Sequence, residues 1–178
     1  MKGESEIRVV TFKLGNEQYG ILVQNVREII KARNYTKVPN APSYLEGVIN
    51  LRGQILPVIN LKRLLNVETA NESIDMKLDE EDKAKQSSQA RIIVAELDEE
   101  DIGLLVDQVI GVMQVDKENI VPAPSYIKSN DAHFIDSIIK NGEDLIMLLN
   151  IKNLLSKNSL EHTHPYGVEE HLGVLAKV

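Results

Sequence analysis

Between Val9 and Leu22, apolar and β-branched residues come in two short runs, VVTFKL and YGIL, parted by the polar stretch Gly15 to Gln18. That alternation predicts a strand, a turn and a returning strand. The same grammar recurs further on as RIIVAEL from Arg91, the polar stretch Asp98 to Asp101, and IGLL from Ile102. A longer unit is also repeated. Tyr44 to Leu65 reads YLEGVINLRGQILPVINLKRLL, two β-branched strands meeting at an Arg-Gly turn and running into a short amphipathic helix. Phe134 to Leu155 reads FIDSIIKNGEDLIMLLNIKNLL and matches it without a gap, so that Tyr44, Glu46, Val48, Asn60 and Lys62 meet Phe134, Asp136, Ile138, Asn150 and Lys152. Gly20 meets Gly103 and Pro39 meets Pro122 at an offset of 83, which then steps to 90 and places about seven extra residues, 127–133, in the second copy. The chain therefore reads as an internal duplication.

Each copy is expected to hold about five short strands, a turn and a half of helix near Val23 to Ile30 or Asp107 to Gly111, and a closing helical turn. Short strands at this spacing predict an all-β architecture of two small barrels, one from residues 7–66 and one from 90–156. A barrel of ~65 residues buries only a thin core, so the two should pack together, and the groove between them is the expected binding surface. Residues 67–89 carry seven acidic and three basic side chains and few large apolar ones, the composition of a solvated acidic linker with a frayed helix at most. In the tail, residues 157–178, Val168, Leu172, Leu175 and Ala176 recur at helical spacing and predict a C-terminal helix docked on a barrel. Leu160-Glu161-His162 also admits the reading of a vector-derived tail.

Composition narrows the chemistry. With no cysteine, disulfides, thiolate catalysis and Cys-based zinc sites are excluded, and a reducing compartment, the cytoplasm, is expected. No apolar run approaches the ~20 residues that span a bilayer, and MKGESEIR carries no signal-peptide core, so no membrane insertion is expected. A net charge of −7 and 4% aromatics argue against nucleic acid, which is held by Lys/Arg neutralisation and base stacking. No nucleophile elbow, phosphate-cradling glycine loop or zincin helix is present, and neither a catalytic residue nor a cofactor is expected. Asp98 to Asp101 matches a hairpin turn and lacks the spacing of a calcium loop. His162, His164 and His171, with Glu169 and Glu170, lie in a terminal tail where imidazoles rarely converge, so no metal site is expected.

One pair of residues stands apart. Arg52 lies at a hairpin tip between Leu51 and Gly53, where glycine relieves the cost of positive φ and the guanidinium projects outward. Glu28 lies in VREI, with Val26 and Ile29 expected toward the core and Glu28 to the side. Brought together, the two can form a bidentate, charge-assisted pair. The plain alternative is a surface salt bridge worth ~0–1 kcal/mol. A carboxylate-based hydrolase using Glu28 is the competing enzymatic reading, and a nucleic-acid-binding tandem barrel the weakest one.

The motifs YGI, VREI, VPNAPSYLEGVINLRG and ILPVINLKRLL, in this order from about Val9 to Leu155, closely resemble the chemotaxis coupling protein CheW and the CheW-like domain of the histidine kinase CheA. The resemblance implies two SH3-like five-stranded barrels packed side by side, without catalysis. It implies a freestanding cytoplasmic adaptor that joins the cytoplasmic tip of chemoreceptors to the regulatory domain of CheA in receptor arrays at the inner membrane face. Carried over position by position, the receptor-binding residues are Val26, Glu28, Gly47 and Arg52 of the first copy and Val112 of the second. The kinase-binding residues are unassigned. Two departures stand out: the linker at 67–89 is longer than usual, and the second copy has Asn141-Gly142 where the first has its Arg-Gly turn.

Overall fold

The computed structural model describes residues 6–67, 80–128 and 134–154. The first hairpin is β1 (Glu6–Leu14) with β2 (Glu17–Leu22); β3 (Val26–Lys31), β4 (Leu45–Leu51), β5 (Gln54–Asn60) and the single helical turn α1 (Leu61–Leu64) complete the first copy. After α2 (Glu80–Gln89), the second copy runs through β6 (Arg91–Leu97), β7 (Glu100–Val106), β8 (Gln108–Asp116), β9 (Ile120–Pro122), α3 (Ser125–Lys128), β10 (Ile135–Asn141), β11 (Asp144–Leu149) and α4 (Ile151–Leu154). The expected C-terminal helix and the first part of the acidic linker lie outside the described residues.

The strands fall into two sheets, a six-stranded one in the order β8-β1-β2-β11-β10-β9 and a five-stranded one in the order β3-β6-β7-β5-β4. Two barrels divided at residues 7–66 and 90–156 do not describe this arrangement. The copies exchange their leading hairpins: β1–β2 sits between β8 and β11 of the second copy, and β6–β7 between β3 and β5 of the first. Parallel pairs, β2 with β11 and β5 with β7, close each exchange. The connections explain it. Only the 3-10 turn Val23–Asn25 separates β2 from β3, and only Asp107 separates β7 from β8, so the chain passes into the other sheet at once. These segments were expected to be helical; Val26–Lys31 and Gln108–Asp116 are strands because both find an edge to pair with, β6 and β1 respectively.

Exchange places the core. One small cluster (Val9, Val115, Ile139, Ile146, Leu148) belongs to the six-stranded sheet and another (Ile49, Leu56, Val58, Ile92, Val94) to the five-stranded one. The largest cluster lies between them and draws Phe12, Leu14 and Ile21 from one sheet and Ile59, Ile93 and Leu104 from the other, sealed by Leu61 and Ile151. Val9 and Val10 therefore point into different clusters, as do Ile92 and Ile93. Strands buried on both faces read as continuous apolar runs, which is why VVTFKL and RIIVAEL do not alternate cleanly. The space between the sheets is thus filled by packed core. Two concavities, of about 320 and 380 Å³, each lie along one sheet, the first between the 35–45 stretch and Arg63, the second between Ile7, Leu22 and Leu148.

Candidate functional site

Leu51 pairs with Gln54, leaving Arg52 and Gly53 as the two central residues of the β4–β5 turn, with φ of 52° and 86°. Positive φ at both positions is the signature of the type I′ turn that matches the twist of a hairpin. Arginine at the first position costs about 1–2 kcal/mol, because Cβ crowds the next carbonyl. Gly53 alone does not relieve the turn, as the sequence suggested; Arg52 is itself left-handed. Asn50 offsets part of this cost, its Oδ1 accepting the Gly53 N–H at 2.8 Å.

The strained tip aims its guanidinium at β3. Arg52 Nη1 donates to Glu28 Oε1 at 2.9 Å and Nη2 to Oε2 at 2.8 Å, the bidentate geometry anticipated from residue type. The Arg52 side chain is 76% exposed and that of Glu28 28%. Their meeting has a topological cause. β3 and β4 are the opposite edges of the five-stranded sheet, so a bond between Glu28 and the end of β4 requires the sheet to curl back on itself. A second seam joins the same edge, as Thr36 and Val48 exchange backbone hydrogen bonds of 2.8 and 2.9 Å.

Along β3, Val26, Glu28 and Ile30 are half-buried while Arg27, Ile29 and Lys31 are exposed. Ile29 was expected in the core; a helical period placed it beside Val26, and the period of two of a strand turns it out. Val26 packs against the large central cluster. Arg27 bonds Glu96 and Asp101 at 3.1 and 2.7 Å, so the acidic turn between β6 and β7 has a cation beside it from β3.

Gly47 is buried, has φ of 153°, and a Cβ there would run into the carbonyl oxygen of Thr36. Its role is to let the 32–44 segment approach β4. Val112 lies on β8 of the other sheet opposite Val10, 54% exposed, with Ile110 at 48% on the same strand. Ile110 was missed by sequence reasoning, and the exposed alternation of β8 is visible only once the segment is read as a strand.

At the other end of β4, Glu46 is nearly buried and accepts from Asn60 Nδ2 at 2.6 Å and from Arg63 at 3.0 Å. It also accepts a hydrogen bond from Tyr35, which, with burial, raises that phenol above its usual range. Asn60 simultaneously caps α1 by accepting the Arg63 N–H. The knot anchors the 32–44 segment and so holds the seam that faces Arg52. The tail histidines, His162, His164 and His171, lie outside the described residues. No described helix is long and apolar enough to cross a membrane.

Residues 8–159 match the family model of the CheW-like domain. The chain is 30% identical over 159 residues to the chemotaxis protein CheW of Treponema pallidum, covering 89% of this chain and 87% of that one. It is 32% identical over 149 residues to the chemotaxis protein CheW of Klebsiella aerogenes, covering 84% and 81%. Among solved structures, the scaffolding protein TtCheW from Thermoanaerobacter tengcongensis superposes with a TM-score of 0.72 at 31% identity, covering 89% of this chain and 93% of that one. The mostly β architecture in two sheets is the two-barrel, SH3-like fold of that neighbour.

Proposed function

The chain belongs to the CheW-like family, and on that premise we propose that it is a non-enzymatic chemotaxis adaptor coupling the cytoplasmic tip of a chemoreceptor to the regulatory domain of the CheA kinase. It would act in the cytoplasm, recruited to receptor arrays. The observation that carries the receptor side is the bidentate Glu28–Arg52 pair at a strained, exposed hairpin tip. Backbone strain persists where the surroundings hold it in place, and contact sites are among the places where it collects. In this reading Val26, half-buried on β3, and Val112, exposed on β8 of the other sheet, are the apolar receptor-facing positions, and Gly47 contributes indirectly by fixing the backbone of β4. The Glu28 carboxylate has both oxygens engaged by Arg52, an arrangement suited to holding a guanidinium in place and ill suited to general acid or base chemistry.

The test is an Arg52→Ala variant. It is expected to melt within a few degrees of the parent, since an exposed ion pair contributes at most ~1 kcal/mol. In a pull-down or titration with a receptor-tip helical hairpin, it should bind at least tenfold more weakly. Unchanged binding in a folded variant would remove the site, and loss of fold would make Arg52 a structural residue. Glu28→Ala separates the enzymatic alternative, because a hydrolase would lose turnover and an adaptor only binding.

A further inference from the structure

We infer that the stretch Lys31 to Lys37 is an electrostatic docking surface for an acidic face of the protein partner held at the Glu28–Arg52 hairpin, an inference that rests on the receptor reading above. The chain as a whole is acidic, with 27 acidic against 20 basic residues, yet KARNYTK holds three cations and no acid. Lys31, Arg33 and Lys37 are all exposed. The ion pairs seen among the described residues use other cations, Arg27, Arg52, Lys62 and Arg63 among them. Lys31 stands directly opposite Arg91 in the β3–β6 ladder, an arrangement of like charges that weakens a sheet. Arg91 turns its guanidinium away, toward the carbonyls of Ser88 and Ala90, at 3.0 and 2.9 Å. Among the described residues, none of Lys31, Arg33 and Lys37 forms an ion pair.

Position identifies the partner. Lys31 shares the exposed face of β3 with Ile29, about one strand turn along from Glu28, whose side chain takes the other face beside the sheet seam, and the exposed Val38 closes the far end of the stretch. Apolar side chains edged by cations have the anatomy of a protein interface, an apolar patch with a charged rim. A lipid surface or nucleic acid fits less well, because a net charge of −7 repels a polyanion approached as a whole. Rim charges act chiefly on the rate of encounter, so the patch should steer an acidic surface toward the hairpin and contribute little once the complex has formed.

The measurement is association and dissociation kinetics with a receptor-tip helical hairpin at about 50 mM and about 500 mM salt, where screening lengths differ roughly threefold. A triple variant, Lys31→Gln, Arg33→Gln and Lys37→Gln, is expected to associate about three- to tenfold more slowly at low salt, to converge with the parent at high salt, and to dissociate at the parental rate. A control with Lys85→Gln, Lys140→Gln and Lys152→Gln has the same net charge and should keep the parental rate. Melting curves for both variants should overlay the parent. Equal low-salt association of parent and triple variant overturns the inference, as does an equal loss in the control. So does pelleting of the parent, but not the triple variant, with phosphatidylserine vesicles, which would assign the patch to a lipid. Arg52→Ala tells the two readings apart: it should speed dissociation at both salt concentrations, and indifference to it removes the receptor reading together with this one.

Discussion

In both halves of the chain a bulged strand runs into a tight hairpin: β4 shifts register between Leu45 and Gly47, and β10 between Ile135 and Ser137. Both hairpins return into a four-residue helical turn capped by asparagine, Asn60 or Asn150, whose backbone N–H bonds Tyr44 or Phe134 at 2.7 or 2.8 Å. Within this unit, three differences bear on the site. At the bulge, the first copy has glycine pressed against Thr36, whereas Ser137 faces Pro122 of the regular strand β9. At the tip, Arg52-Gly53 has positive φ at both positions, whereas in Gly142-Glu143 only the glycine does, at 65°. The second turn is therefore Gly142-Glu143, one residue later than Asn141-Gly142. Behind the tip, Glu46 is held by Arg63 and Asn60, while the matching Asp136 accepts from Ser137. The duplicated part is scaffold, and the specific part is what brings a strained arginine against a partner strand.

Making the first copy resemble the second should break this difference in graded steps. Gly47→Ser is expected to have the largest effect, a loss of about 2–4 kcal/mol in urea unfolding, because Cβ meets backbone that cannot swing aside. The reciprocal Ser137→Gly should cost under ~1 kcal/mol. Comparable costs at the two sites would mean that the close approach to Thr36 is not what separates the copies.

A second asymmetry is buried: Tyr19 stacks on Phe12 at 6.1 Å where the second copy has Ile102. Burial, with Glu17 nearby, pushes the Tyr19 phenol up to about 12. The unfolded chain ionises near pH 10, so the stability tied to the neutral phenol is complete below pH 10 and is lost as pH rises through about 12. The expected loss is on the order of 2 kcal/mol, and Tyr19→Phe, followed by alkaline titration of circular dichroism, should move the unfolding midpoint upward. The smallest step is Arg63→Asn, which copies Asn153. Losing the bond to Glu46 should lower stability by about 1 kcal/mol in a thermal melt, and a larger loss would show that the knot supports the seam more strongly than its exposure suggests.

Much of this was legible beforehand. Strand identity, the duplication and the hairpin turns followed from alternation and polar breaks, and the Glu28–Arg52 pair from residue type. Other features were not. VREI was misread because four residues cannot distinguish a period of 3.6 from one of 2, and Ile29 changed sides with the choice. Gly47 was placed on the receptor surface by resemblance alone, and its burial against Thr36 depends on packing that the sequence does not spell out. Asn50 escaped notice, although an asparagine three residues before glycine at a tip is a recognisable turn brace.

The sequence by itself determined most of the strands, the polar breaks between them and the membership of each residue in one copy or the other, because these depend on neighbours a few positions away, whereas β3 and β8 were settled by the edges they pair with. Which hairpin pairs with which strand was decided only in three dimensions. The two leading hairpins present the same alternation with a glycine at the same place, Gly20 or Gly103, so a local pattern fits either partner equally. One connection of a single residue and one of three choose between them, and the exchange buries one face of four strands in the shared core and the other against the cluster of the sheet each has joined. The curl that joins β3 to β4 follows from that packing, and with it the contact between Glu28 and Arg52, 24 residues apart in the chain.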